Sequence, residues 1–331
     1  MTTSEKIAGQ LYAKTTQGIK LGLDRVRRAA QQVGNPQNAY ASIHVAGTNG
    51  KGSTCAFIES VLRHSGVKTG LFTSPHLVRF EERFMIDGRP IAEESWVGVY
   101  NDVAGIIETH GLTFFEAVTL IAFELFKRER VEWVVLETGM GGRLDATNIV
   151  EPKVSVITAL GLDHMHFLGG DLRSIAREKL GIVKPRVPLV IARPADSDIL
   201  ELARRECALL EAPCRIVSAD EATDIRTGED STGFILDGRR FTTSLRGEYQ
   251  VHNAVVAVRA AECAGFHDTS KTLDGIARTA LPGRFHVAMV RGRIVIFDVG
   301  HNPAAAEAFC FALRRRYGEQ TVCMVAGIMK D

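Results

Sequence analysis

The chain has almost no net charge, no paired cysteines and no long apolar run, and each absence removes a class of function. Forty lysines and arginines stand against 39 acids, a formal charge of +1. That balance argues against a nucleic-acid coat or a polybasic membrane surface, so any anion binding has to be local. The six cysteines, at positions 55, 207, 214, 263, 310 and 323, form no C-x-x-C pair and read as reduced thiols of a cytoplasmic protein. No stretch approaches the ~20 apolar residues of a spanning helix, and the N-terminal segment lacks the apolar centre of a secretory leader. No repeat or low-complexity segment is evident, and 331 residues, 45% of them hydrophobic, suffice for two cores.

Apolar strand-like runs at 68–72, 133–137, 154–159 and 188–192 alternate with helix-like stretches at 51–64, 115–128, 171–183 and 197–210. This is the pattern of an α/β protein with a parallel sheet covered on both faces. From 215 to 245, short extended pieces broken by Thr227-Gly228-Glu229-Asp230 and Asp237-Gly238 predict hairpins, a small antiparallel flap. Helical periodicity returns at 251–264 and 269–280 before Pro282-Gly283 punctuates the chain, placing a domain boundary there. Residues 1–282 then form one unit. Beyond it come strands at 287–290 and 294–298, a helix opened by Pro303 and a third strand at 322–326. Three strands and one helix are too few to close a doubly wound fold, so 283–331 is expected to be an incomplete Rossmann-like domain.

The most informative run is Gly47-Thr48-Asn49-Gly50-Lys51-Gly52-Ser53-Thr54, between an apolar strand at 43–46 and a helix-like stretch. Glycines let the backbone turn so that N–H groups and a helix N-terminus face phosphates, while Lys51 neutralises them, the arrangement for ATP. The run departs from the commonest P-loop: Val45 stands where its first glycine belongs, and Gly52 rather than Ser or Thr follows the lysine. Mg²⁺ wants about six hard ligands, so Ser53, Thr54 or a distant loop has to contribute.

In open α/β sheets ligands gather at the carboxyl ends of strands. Thr73-Ser74-Pro75-His76-Leu77, Glu137-Thr138-Gly139-Met140-Gly141-Gly142-Arg143-Leu144-Asp145 and Leu162-Asp163-His164 all follow strands and are expected to converge on the phosphates. Glu137 is the one acid ending an otherwise apolar strand, where P-loop enzymes hold magnesium, with a plain salt bridge as the other reading. His164 alone reads more readily as a hydrogen-bonded structural histidine, and His164-x-His166 as half of a zinc site without further ligands at suitable spacing. Lys179, mid-helix, reads by itself as a solvated lysine.

Taken together these stretches resemble the ATP-dependent amide ligases of the Mur ligase superfamily, most closely the folylpolyglutamate synthase and dihydrofolate synthase family. The resemblance rests on 45–54, Ser74-Pro75-His76-Leu77, Glu82-Arg83, Thr113-Phe114-Phe115-Glu116, Gly141-Gly142-Arg143-Leu144-Asp145-Ala146-Thr147-Asn148, Leu162-Asp163-His164, Glu178-Lys179 and Asp298-x-x-His301-Asn302-Pro303. It implies ATP and Mg²⁺ as cofactors, with Ser74, Glu137 and His164 binding metal and Lys179 matching a carbamylated lysine whose oxygens suit a second ion. Lys51, His164 and Lys179 carry the catalytic expectation. ATP base and ribose contacts map to Asn253, Arg284, Asp298 and His301. The pterin-bearing acceptor maps to Thr113, Phe115, Asp145 and Ala146, where Phe115 can pack on a planar heterocycle or simply fill a core.

The resemblance implies glutamate ligation: ATP phosphorylates a dihydropteroate or folate carboxylate, and L-glutamate displaces the phosphate. The expected partners are these small molecules, without nucleic acid or membrane, and the chain is expected to be a cytoplasmic monomer. Leu180 and Gly300 replace alanines usual in the family, and neither removes a ligand. The family's C-terminal domain runs past Asp331 and carries part of the glutamate site, so a catalytically incomplete ATP-binding module is one alternative. Another is a cell-wall Mur ligase acting on UDP-sugar peptides, which usually carries a sizeable domain before its P-loop; 46 residues precede Gly47 here. A GTPase-like switch would want an N-K-x-D segment, which the sequence lacks.

Overall fold

The structure, a computed structural model, describes residues 3–18, 22–318 and 320–327. Helices α1 (Thr3–Ala13) and α2 (Asp24–Gln32) precede β1 (Ala41–Ala46), which leads through the glycine-rich run into α3 (Lys51–His64). After β2 (Thr69–Phe72) come β3 (Phe84–Ile86), β4 (Arg89–Pro90), α4 (Glu93–Thr109) and α5 (Phe114–Arg128). The alternation continues with β5 (Trp133–Glu137), β6 (Val154–Ile157), the single turn α6 (Met165–Leu168) and α7 (Leu172–Leu180). It closes with β7 (Leu189–Ala192), α8 (Ser197–Leu209) and β8 (Cys214–Val217). A flap of β9 (Ala222–Thr227), β10 (Thr232–Leu236) and β11 (Arg239–Thr243) precedes α9 (Glu248–Cys263) and α10 (Thr269–Ala277). The hairpin β12 (His286–Val290) and β13 (Arg293–Phe297) leads to α11 (Pro303–Tyr317).

The main sheet runs β4-β3-β2-β5-β1-β6-β7-β8. Pairing is parallel from β2 through to β8, with β3 and β4 antiparallel at one edge. Period-two alternation sorts its side chains between the two faces. Ile43, Val45 and Val135 join α3 and α9 on one side, while Val134 and Leu136 join α4 and α5 on the other. Both faces are covered, so the central strands are mostly apolar, with Ser42, His44 and Ser155 as buried polar exceptions. α1 was hidden in the sequence as a weakly apolar stretch; its Ile7 and Leu11 are buried in the α5 cluster.

Three expectations are corrected. Residues 214–217, assigned in part to the flap, instead form the parallel edge strand β8, because Cys214 and Ile216 pack toward α8 while Val217 joins the opposite core. The helix at 171–183 stops at Leu180, where Gly181 lies hard against Arg143. Residues 322–326 form no strand: they are exposed, and a strand exists only by pairing. The last part of the expected second unit, 328–331, lies outside the described residues.

The flap is tied to α9 by Arg259, whose side chain is 7% exposed and pairs with Asp237 at 2.7 Å, Glu221 at 2.8 Å and Glu262 at 3.1 Å. Its acidic partners are substantially more solvated and can rehydrate once the guanidinium is gone. Arg259→Ala is therefore expected to cost about 1–3 kcal/mol rather than the larger penalty of a sealed ion pair. Urea unfolding checks this, and a midpoint unchanged from the wild type contradicts it.

Candidate active site

The glycine-rich run bends because two of its residues leave ordinary backbone space. Gly47 sits at φ +154° and Gly50 at φ +86°, and a Cβ on either would strike Thr158 or Asn253. The turn is pinned to the strand end beyond β6: Thr48 N–H donates to Ala159 O at 2.9 Å, Thr48 Oγ1 to Gly161 O at 3.0 Å and Thr158 Oγ1 to Asn49 O at 2.8 Å. Ser53 and Thr54 are buried in the first turn of α3. The loop is thus preorganised, with the N-terminus of a 14-residue helix behind it.

Two amines meet at this loop. Lys51 Nζ donates to Gly47 O and Thr48 O, both at 3.1 Å, and Lys179 Nζ reaches the same Gly47 O at 2.7 Å. Lys179 is 3% exposed. Burial first, then the neighbouring Lys51 charge, pull its pKa down to about 7, against the opposing fields of Asp163 and Asp145. Sequence alone reads this residue as a solvated lysine; the structure places it inside the site.

Glu137 closes the other side. It is 4% exposed and accepts Ser74 N–H at 3.0 Å. Burial raises its pKa, opposed by Lys51, the Ser74 N–H, Arg284 and Arg83. A Cβ on Gly52 would stand 3.7 Å from both the Arg284 guanidinium and Glu137 Oε2, so glycine after Lys51 keeps the space between loop and carboxylate open. These residues fit a hard divalent cation: a desolvated carboxylate gains a partner, and Ser74, bound to it through its N–H, is a hydroxyl-bearing residue. Among the described residues no three His, Cys, Asp or Glu side chains are grouped to hold a metal.

His164 stands at φ +49°, its ring 3.9 Å from Asp163 Oδ1. Asp163, quoted in a motif but given no role, is the hub of this corner. Its Oδ2 lies 3.7 Å from His301 Nε2 and accepts from Asn302 Nδ2 at 3.4 Å. Asn302 also escaped selection. It caps α11 through Ala305 N–H at 2.9 Å and exchanges amide bonds with Asn49 of the loop at 2.9 and 3.3 Å. Its signal was present in Asn302-Pro303, a helix cap followed by a first-turn proline. Asp298 accepts Phe285 N–H and Gly300 N–H at 2.8 and 2.7 Å, which orders the hairpin end beside Arg284. Asn253 lies against Gly50 and donates to Gln250 at 3.1 Å.

The residues that the resemblance assigns to the acceptor lie in the loop after β5 and at the start of α5. Phe115 lies over Gly139, where a Cβ would come within 2.6 Å of its ring, and is 5.9 Å from Phe72 by ring centroids. Thr113 caps α5 in a reciprocal box with Glu116, which Arg25 pairs at 3.0 Å. Asp145, 6% exposed, accepts Thr147 N–H and Met140 N–H, both at 3.0 Å. It clamps the loop and caps the turn that begins at Ala146.

Fold and site define a P-loop ligase of Mur type, and residues 45–261 match the family model of the Mur ligase middle domain. The chain belongs to the dihydrofolate synthase/folylpolyglutamate synthase family of these ligases. It is 36% identical over 331 residues to the dihydrofolate synthase/folylpolyglutamate synthase of Escherichia coli (strain K12), spanning 97% of this chain and 74% of that protein. Among solved structures, Mycobacterium tuberculosis folylpolyglutamate synthase complexed with ADP and AMPPCP superposes with a TM-score of 0.86 at 31% identity, over 94% of this chain and 74% of the other. An FPGS–AMPPCP–folate complex gives 0.85 at 28% identity, over 94% and 81%.

Proposed function

We propose that the chain is an ATP-dependent ligase that joins L-glutamate to dihydropteroate or a reduced folate, releasing ADP and phosphate. The observation that carries this reading is the meeting of Lys51, Lys179 and Glu137 around one glycine-rich loop, in a chain whose relatives are named for this ligation. A carboxylate needs activation because its oxygen leaves poorly. An acceptor carboxylate oxygen attacks the γ-phosphorus, the bond to ADP breaks, and an acyl phosphate forms. The glutamate amine then attacks the acyl carbon, phosphate departs with the bonding electrons, and the amine loses a proton.

Lys51 and the loop N–H groups hold the charge that moves to ADP. Mg²⁺, held by Ser74, Glu137 and His164, with a carbamate on Lys179 for a second ion, would supply further neutralisation. Asn253, Arg284, Asp298 and His301 position the base and ribose, which places the nucleotide across the boundary we put at Pro282-Gly283. Phe115, Thr113, Asp145 and Ala146 shape the acceptor pocket. No described helix is long and apolar enough to cross a membrane; we place the protein in the cytoplasm as a monomer.

The test supplies ATP, labelled glutamate and either dihydropteroate or tetrahydrofolate, with products resolved by mass. Glutamate-dependent ADP and a product heavier by one glutamyl residue are expected. ADP formation indifferent to glutamate, or dependent on a UDP-sugar peptide, overturns the reading.

A further inference from the structure

One polar residue in the middle of the sheet has no part in the chemistry above. His44, wholly buried on the central strand β1, occupies a position where an aliphatic side chain would serve packing alone. A buried polar group is costly unless hydrogen-bonded, and His44 spends its one bond on a distant segment: Nε2 lies 2.7 Å from Thr147 Oγ1. The Thr147 hydroxyl lies 2.5 Å from Asp145 Oδ1.

The polarity of this chain follows from what each atom can do. Both Asp145 oxygens accept backbone N–H groups, Thr147 on Oδ1 and Met140 on Oδ2, as an ionised carboxylate does. The single hydroxyl proton of Thr147 therefore points to Asp145, leaving its oxygen free to accept, and His44 donates from Nε2. Its Nδ1 is buried without a hydrogen-bond partner, which suits the neutral ring and penalises the imidazolium. Burial, with the Lys184 charge, holds the His44 pKa down at about 3.

We propose that His44 is a positioning residue for the acceptor pocket: through Thr147 it fixes Asp145, and through Asp145 the 139–147 loop on which Phe115 rests. The role rests on the ligase reading, in which that loop faces the pterin-bearing acceptor. β1 carries the phosphate loop at its end, so one strand sets both the nucleotide site and, through this side chain, the wall of the acceptor site.

Thr147→Val keeps the shape and removes the hydroxyl, Thr147→Ser restores it, His44→Leu removes the donor and His44→Gln returns an N–H near the Nε2 position. The valine and leucine variants are expected to raise the acceptor KM about tenfold with the ATP KM held within about twofold, and the serine and glutamine variants to recover most of it. In nitrogen NMR the wild-type ring stays neutral with the proton on Nε2 between about pH 5 and 8. An Nδ1-protonated ring, or acceptor and ATP KM values moving together in Thr147→Val, overturns the relay while leaving wild-type ligation intact. Wild-type protein without glutamate-dependent turnover overturns the ligase reading and this role with it.

Discussion

Lys51→Ala is expected to lower glutamate-dependent ADP release by about a thousandfold or more, with the circular dichroism spectrum unchanged. The amine stands at the mouth of the loop, 3.1 Å from two of its carbonyls, on the first residue of a helix whose packing is made by residues further along. Removal therefore takes away charge where charge develops and little of the core. Lys51→Arg is expected to rescue poorly, because a planar fork does not replace a compact ammonium in a cradle of backbone groups. The substitution has a second consequence inside the site. The Lys51 charge helps depress the Lys179 pKa, so its loss lets that pKa rise and reduces the fraction of Lys179 that is neutral near pH 7. Single-turnover ADP release separates the two effects, and a Lys51→Ala enzyme within tenfold of wild type defeats the assignment.

The phosphate loop was legible because local chemistry determines it: glycines at positive φ, a lysine at the first helical position and an apolar strand before them are consecutive in the sequence. Glu137 was legible for the same reason, as an acid ending a strand that is otherwise hydrophobic. Lys179 was legible only through the family resemblance, since helical periodicity gives a direction around the helix axis but not what lies there; its burial comes from the return of the chain to Gly47, 132 residues earlier. Asp163 and Asn302 lay in motifs already noticed, but their partnership spans 139 positions and needs β13 and α11 to fold back on the loop. The strand expected at 322–326 failed because apolar alternation establishes a candidate, whereas pairing makes a strand. β8 was misassigned since Arg215 interrupts its apolar face, and only the register with β7 reveals which sheet it joins. Asp145 illustrates a different gap: resemblance suggests an acceptor contact, while its hydrogen bonds go to its own loop.

Lys179→Met is expected to move activity and stability in opposite directions. Wild-type Lys179 is held near neutrality by burial and by Lys51, so at pH 8 much of it is free amine, the form that can attack CO₂; an N–C bond forms and a proton leaves to solvent. A carbamate there would convert the repulsion between two amines at Gly47 O into attraction, and would offer a cation oxygen donors. Methionine can do neither, and turnover is expected to fall about a hundredfold or more. The stability sign follows from linkage. The folded-state pKa, about 7, lies below the 10.5 of an ordinary lysine, so the unfolded chain binds more protons between those limits and wild-type stability falls as pH drops from 10.5 to 7. In CO₂-free buffer at pH 7, Lys179→Met escapes that penalty and should be more stable by on the order of 2–4 kcal/mol. The gap should shrink as pH rises toward 10 and should also narrow when bicarbonate is supplied to the wild type. A carbon-13 carbamate resonance present in the wild type and absent in the variant ties both effects to one nitrogen. A methionine variant that is active, or less stable than wild type at pH 7, contradicts the buried-amine account, because a well-solvated Lys179 would have neither the reactivity nor the penalty.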